Sequence, residues 1–430
     1  MTAASIGLLL FGVFFALLFI GSPIMVALGL STYAVYFLVG KDPVMLIQMA
    51  AASLSSFPLM ALPSFILAGA LMEASGMSRR LVNIAENIIG PMPGGLPVTT
   101  ALACVFFGAI SGSGPATTAA VGMLMIPAMT CRGYHPAYAA AAAATAGGVG
   151  IIIPPSIPMV IYGVSGQQSI TKMFMGGVVP GLLIAASLCA MHIWINRKRG
   201  GDGMSWSGAR LAKSVKDGFW SIMAPTIILG GIYTGQFTPT EAAIVAIFYT
   251  LIIGCFVHRE LKFKAFMAAL KNNSWLAGRV LIIVFTAYSF GRILTEYRIP
   301  NELAEWVLGF TQNVNLVWLL VVILLVFLGM FMETLAIIML VTPVLLPVMM
   351  AYGVDPIHFG VILVCCCGVG FSTPPMGENM FIASGIADQS LEAISAKALP
   401  FVAVNLSAIA LMVAFPQIVL WLPNLLSAVE

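Results

Sequence analysis

The chain has 430 residues, of which 60% are hydrophobic and only 8% charged, with a formal net charge of +3 and a mean hydropathy of +1.03. Soluble domains average about 45–50% apolar and about 25% charged, so a water-facing globular fold is excluded: too few charges are present to cover it. The small positive balance sits in a few loops and carries no nucleic-acid signal, and the seven cysteines lack zinc-type spacing.

A membrane span needs ~20 apolar residues, and the chain holds many such runs. The stretch from Met1 to Ile20 has neither a positive n-region nor a small-residue cleavage site, which predicts a first membrane segment rather than a removed signal. Apolar runs at 6–20 and 24–39 flank a Gly21-Ser22-Pro23 break, and 44–71 follows as one long segment. Residues 79–89 read as an amphipathic arm. Runs at 96–110 and 116–129 flank Ser111-Gly112-Ser113-Gly114-Pro115, which predicts a re-entrant hairpin. Runs at 136–147 and 157–163 flank a second break, from Gly147 to Ser156, and 174–195 closes this half. Residues 196–217 read as a polar, basic cytoplasmic linker, and 218–430 repeats the order. Cys365, Cys366 and Cys367 read as small residues of a packed membrane helix.

The second half is a copy of the first. A shift of 220 positions brings Gly148 onto Gly368, Gly150 onto Gly370, Pro154 onto Pro374, Pro155 onto Pro375, Pro127 onto Pro347, Gly133 onto Gly353 and Pro136 onto Pro356. Ser22-Pro23 finds its counterpart in Thr238-Pro239. Repeated architecture of this kind is legible as a constant offset. Basic residues stay cytoplasmic. With each hairpin returning to its own side, one orientation places most of the 19 Lys and Arg inside, Arg79, Arg80, Arg132, Arg197, Lys198, Arg199 and Arg279 among them. Equivalent loops then carry opposite charge character, which predicts inverted repeats.

Non-helical backbone at membrane depth is tolerated only inside protein or beside a cavity. Paired Gly/Pro-interrupted segments in corresponding halves therefore point to a transporter binding site. Proline removes a donor and disrupts the preceding turn; the freed carbonyls and neighbouring Ser hydroxyls make an all-oxygen cradle suited to Na⁺. Two cradles predict at least two Na⁺ sites, with an anionic substrate between helix N-termini. Ser156 lies at the first of these N-termini.

Charges inside spans are costly and mark function by default. Arg292 has two readings: a bidentate contact to a substrate carboxylate, or a side chain snorkelling to the outer surface near Pro300. Glu333 reads either as a cation ligand or proton carrier, or as a partner within its hairpin tip. Glu241, in Thr238-Pro239-Thr240-Glu241, reads as a helix cap. Glu378 reads as facing an opening or forming an ion pair. No nucleophile elbow, zinc motif or phosphate loop is present, so an enzyme is not expected.

Four stretches carry a resemblance: FGAISGSGPATTAAVG, GGVGIIIPPSIPMVIYG, GQFTPTEAAIVA and GVGFSTPPMGENMFIASG. In order, and over essentially the whole chain, they resemble the large membrane subunit of tripartite ATP-independent periplasmic (TRAP) transporters. The resemblance implies an all-α polytopic inner-membrane protein of two inverted repeats, with re-entrant hairpins and broken helices, working as an elevator. It implies Na⁺-coupled import of a carboxylate solute together with a small membrane subunit and a periplasmic substrate-binding protein. It also implies Na⁺ ligands at Ser111, Ser113, Gly150 and Pro154 in the first half, and at Gly329, Gly370, Thr373 and Met376 in the second. Arg292, Ser156 and Glu333 are the candidate substrate contacts. Sialic acid and C4-dicarboxylates both fit as substrates, with a slight lean to sialic acid. The absence of an extra N-terminal segment leads to the expectation of a separate small subunit. A stand-alone Na⁺ or H⁺ carboxylate symporter is the alternative.

Overall fold

The computed structural model describes residues 3–55, 57–89, 92, 94–199 and 206–427. Among these residues the regular structure is all helical, and seven helices are long and apolar enough to cross a membrane. The first half runs α1 (Ala3–Phe19), α2 (Ile24–Val39), α3 (Val44–Leu54), α4 (Ala61–Ala74), α5 (Met77–Ile89), α6 (Gly95–Ser111), α7 (Gly114–Cys131), α8 (Pro136–Gly147), α9 (Ile157–Ser165) and α10 (Ile170–Asn196). The second runs α11 (Gly208–Tyr233), α12 (Pro239–Ile252), α13 (Phe263–Glu296), α14 (Ile299–Phe310), α15 (Val314–Gly329), α16 (Thr334–Ala351), α17 (Pro356–Gly370), α18 (Glu378–Ala387), α19 (Leu391–Ala414) and α20 (Gln417–Ser427).

The order recurs: α11 answers α1, α12 answers α2, α14 answers the arm α5, and α15–α19 answer α6–α10. The expected long segment 44–71 is instead two helices, because Pro58 sits in a short 3-10 turn (Phe57–Met60) and has no N–H to continue the ladder. Its counterpart in the second half is α13, an unbroken helix of 34 residues. The expected linker 196–217 is also shorter than its composition implies. Residues 200–205 lie outside the described residues, but α11 already begins at Gly208, with Ser207 as its cap accepting from the Arg210 N–H at 3.4 Å. Arg210, Lys213 and Lys216 therefore ride the opening turns of a helix.

Local sequence explains where the helices start. Thr238 accepts from the Glu241 N–H at 3.3 Å while the Glu241 carboxylate accepts from the Thr238 N–H at 2.8 Å, a reciprocal cap that satisfies two N–H groups at the helix start. Ser113, Ser156 and Ser169 cap α7, α9 and α10 with the hydroxyl's bond alone. The arm α5 is strongly amphipathic; it buries Leu81, Val82, Ile84 and Ala85 and leaves its charges outside.

Packing exchanges the halves. Helix α4 packs on α12, α2 on α13 and α5 on α11, forming an outer unit. The second unit is built round α8 and α17. Residues Ala137–Gly147 of α8 and Ile357–Gly370 of α17 are all buried. Helix α18 of the second half packs on α7 and α8, and α9 of the first packs on α16 and α17. Lipid gives helices no hydrophobic reason to associate, so close packing of small residues does the work. The alanine run of α8 and Cys365-Cys366-Cys367, all buried free thiols, serve that purpose. The two halves touch at their breaks. A methyl built on Gly148 would lie 2.4 Å from the Gly368 carbonyl oxygen, and one on Gly368 would lie 2.8 Å from the Gly148 oxygen. The contact is reciprocal, as at a two-fold axis.

On one side of the outer unit, Glu260 ties the arm to the α12–α13 connection. Arg79 Nη2 lies 3.1 Å from both carboxylate oxygens and Arg80 Nη2 2.8 Å from one. His258 Nδ1 lies 3.3 Å from the Ser75 carbonyl, closing the same clasp.

Candidate functional site

Helices α6 and α7 form the first hairpin, turning at Gly112 in the left-handed region (φ +60°), a conformation open to glycine at little cost. The Gly112 carbonyl accepts from the Ile157 N–H at 3.3 Å, seating the hairpin tip on the break between α8 and α9. The backbones come very close: a methyl on Gly108 would lie 2.7 Å from the Gly150 Cα. The second hairpin, α15 and α16, docks on α17 in the same way, with a Gly370 methyl 2.6 Å from the Gly329 Cα. Both breaks carry a cis peptide, at Pro154–Pro155 and Pro374–Pro375.

Three of the expected first-half ligands converge. Ser111 Oγ lies 3.1 Å from Thr117 Oγ1, and Thr117 Oγ1 donates to the Ser113 carbonyl at 2.6 Å. The cluster faces Gly150, where an added methyl would lie 2.3 Å from Thr117 Oγ1 and 3.1 Å from the Ser113 oxygen. Ser113 contributes its carbonyl; its hydroxyl is occupied in capping α7. These hydroxyl and carbonyl oxygens are of the hard kind that suits a monovalent cation, and they pack on Gly150 so closely that a methyl there would clash with Thr117. Thr117 is missing from the expected set, although the Thr117-Thr118 pair directly after the hairpin turn was a visible signal. Pro154 enters differently: its cis partner Pro155 presents a carbonyl to Gly112, where a methyl would lie at 2.5 Å.

The second-half cluster is not a copy. The positions answering Ser111, Ser113 and Thr117 are Phe331, Glu333 and Ile337, so the hydroxyls are gone. Gly329 and Gly370 remain in contact, and Thr373 folds back, its N–H donating to the Gly370 carbonyl at 3.0 Å and its Oγ1 to the Val369 carbonyl at 2.7 Å. Ligation here would rest on backbone carbonyls. Met376 is half exposed and lines a cavity of about 340 Å³ together with Gly329, Glu333 and Glu378. Sequence reasoning also missed Ser372 and Asn379. Ser372 Oγ and Asn379 Nδ2 donate to the Ala144 carbonyl of the first half at 2.8 and 3.1 Å, so the second break and α18 are bonded to α8 just before the first break.

Between the two hairpin tips lies a cavity of about 220 Å³, lined by Ser113, Phe371, Glu333, Glu378 and Arg279 among others. Arg279, from α13, pairs with Glu333 at 2.9 Å. Arg279 sits mid-helix, at the cavity. Arg292 is not brought to the breaks. Thirteen residues further along α13, it lies about 20 Å away at a rise of 1.5 Å per residue, one turn from Glu296, which pairs with Lys41. The helix that carries both arginines starts at Phe263, so Arg279 falls at its middle and Arg292 near its end. Ser156 is also turned from the cavity; its buried hydroxyl caps α9 and donates to the Ile151 carbonyl. Of the three expected substrate contacts, only Glu333 faces the opening.

Paired hairpins docked on paired broken helices, beside a charged cavity at their meeting point, define a membrane transporter fold. That fold is similar to the Alcanivorax borkumensis YdaH transporter (TM-score 0.66, 14% identity, 87% of this chain and 89% of that one). It is also similar to MtrF of Neisseria gonorrhoeae (TM-score 0.63, 15% identity, 88% and 84%). The family described as tripartite ATP-independent periplasmic transporter, DctM component, matches residues 11–418. The isethionate TRAP transporter permease protein DctMQ of Oleidesulfovibrio alaskensis is 45% identical over 95% of this chain, which spans 65% of that relative's length. The C4-dicarboxylate large permease DctM of Pseudomonas aeruginosa is 38% identical over 86% of each chain. The sialic acid large permease SiaM of Vibrio cholerae is 36% identical over 88% of this chain and 89% of that one. The chain belongs to the DctM family of TRAP transporter large permease subunits; it is an inner-membrane transport protein and not an enzyme.

Proposed function

We propose that this permease moves an organic acid inward, coupled to at least two Na⁺ ions, after a periplasmic binding protein delivers the acid to a complex with a small membrane subunit. The observation that carries the coupling is the oxygen cluster of Ser111, Ser113 and Thr117 over Gly150, packed where a side chain is sterically barred. Ser111, the Ser113 carbonyl, Thr117 and the backbone at Gly150 and Pro154 would hold one ion; backbone at Gly329, Gly370, Thr373 and Met376 would hold the second. When bound, Na⁺ supplies the downhill gradient. The protein's own part is to weld each hairpin tip to its broken helix, and the second break to α8 through Ala144, so that one block carries both sites.

The two repeats are taken as inverted and the block as sliding past the outer unit in an elevator motion, which the exchanged packing of the halves supports. The relatives' printed substrates differ, isethionate, C4-dicarboxylates and sialic acid. They share a small acid with an anionic head, carboxylate or sulfonate, and that class is the substrate proposed here. The test is uptake of radiolabelled succinate, isethionate and N-acetylneuraminate into proteoliposomes holding both membrane subunits. Uptake of at least one acid should require an inward Na⁺ gradient and the cognate binding protein. Full uptake without either would sink the reading, and uptake by this chain alone would favour a self-sufficient symporter.

A further inference from the structure

The two hairpin tips are equivalent by the 220-residue offset, and their N-cap positions are Ser113 and Glu333. Ser113 does what a cap does: its hydroxyl accepts from the Ala116 N–H at 3.4 Å. Glu333 has the extended backbone of a cap (φ −63°, ψ 139°) but makes no cap hydrogen bond. Its carboxylate reaches across to α13 and pairs with Arg279 through Nη2 and Oε2. A carboxylate at a helix N-terminus is stabilised by the N–H groups and the helix dipole, so a second resting place lies next to the one it occupies.

Arg279 has the matching property. Its guanidinium carries five donors in a fork suited to planar acids, and its side chain remains 55% exposed beside the paired carboxylate. It lines three openings that meet at the pair: the cavity between the tips, the one towards Met376, and one of about 680 Å³ towards Trp275 and Pro23. Before a substrate enters, Glu333 and Glu378 face one arginine. An incoming anion would find Arg279 already engaged unless Glu333 let go of it.

We propose that Arg279 is the residue that recognises the acidic head of the substrate, and that Glu333 is its resident stand-in. The carboxylate or sulfonate displaces Glu333 from Arg279, and Glu333 turns back to cap α16. Arg279 has an anionic partner before and after the exchange, and the exchange unties the second hairpin from α13. An uncharged analogue cannot make it. The proposal rests on the transport reading above, and the uptake assay checks that reading separately.

The test is equilibrium binding, at saturating NaCl, of the acid carried in that assay, to the permease in nanodiscs together with any membrane subunit that copurifies. Melting temperatures are measured in parallel to confirm folding. Removing the internal competitor with Glu333→Gln should lower the dissociation constant about two- to fivefold, the range of an exposed ion pair. Glu333→Ser, which keeps a cap, should do the same and serves if the glutamine variant does not fold. Arg279→Gln should weaken binding by roughly tenfold or more, the loss of a charged hydrogen-bonding group. A pair that only clasps two helices is broken equally by either change, so effects of the same sign, or weaker binding in both Glu333 variants, would overturn the assignment.

Discussion

Gly150 shows how much one hydrogen atom can matter. Its missing side chain leaves room for Thr117 Oγ1 and the Ser113 carbonyl to face the break. Gly150→Ala pushes a methyl into that space, and overpacking of this kind costs about 1–3 kcal/mol. The expected result is a roughly tenfold rise in the Na⁺ concentration for half-maximal uptake, the equivalent of ~1.4 kcal/mol, with membrane abundance near wild type. Thr373→Ala should likewise weaken Na⁺ dependence more than abundance, since the hydroxyl ties the second break to Val369. Proteoliposome uptake against Na⁺ concentration checks both; unchanged curves would remove these clusters from coupling. Ser111, Ser113 and Gly150 were legible in the sequence because Gly/Pro breaks can be seen one residue at a time. Arg279 was not. Its role depends on which turn of α13 meets the hairpin, and that register follows from a helix start at Phe263 that no local signal around Arg279 reveals.

At the scale of elements, the clasp around Glu260 fixes the arm α5 to the α12–α13 connection. Glu260→Gln leaves Arg79 and Arg80 unpaired there and should lower stability by on the order of 1 kcal/mol or less, the range of partly exposed ion pairs. Burial, and then the charge of Arg80, hold the His258 pKa below its usual value, against the pull of Glu260. A histidine with a depressed folded pKa binds fewer protons folded than unfolded. Its contribution is therefore present above about pH 6.5, the unperturbed value, and is lost as pH falls through the folded pKa. Thermal unfolding of the purified protein between pH 7.5 and 5 should show the midpoint falling, and His258→Asn should flatten that slope. The repeat order and the arms were plain from the sequence. The split of residues 44–71 was not, because a single Pro58 within an apolar run is compatible with a kinked helix as well as with a break.

For the whole molecule, the elevator reading separates two kinds of contact. Gly122 and Ile386 belong to the block around α8, where a methyl on Gly122 would sit 3.3 Å from Ile386 Cδ1; Gly291 of α13 faces Pro343 of α16, with a methyl 3.5 Å from its Cγ. Cysteines at 122 and 386, cross-linked, should leave uptake close to that of the uncross-linked pair. Cysteines at 291 and 343, cross-linked, should stop uptake and restore it on reduction. Transport that survives the second cross-link would rule out sliding between the two units.

The reciprocal contact of Gly148 and Gly368 is self-complementary. A surface that touches its own duplicate through the same atoms is the isologous interface of a two-fold homodimer, here enclosed in one chain. Each half of this protein carries the patch that meets the other half. Within one chain the two copies need not be identical. The equivalent positions differ, Ser113 in the first hairpin and Glu333 in the second, and both line the charged cavity between the tips.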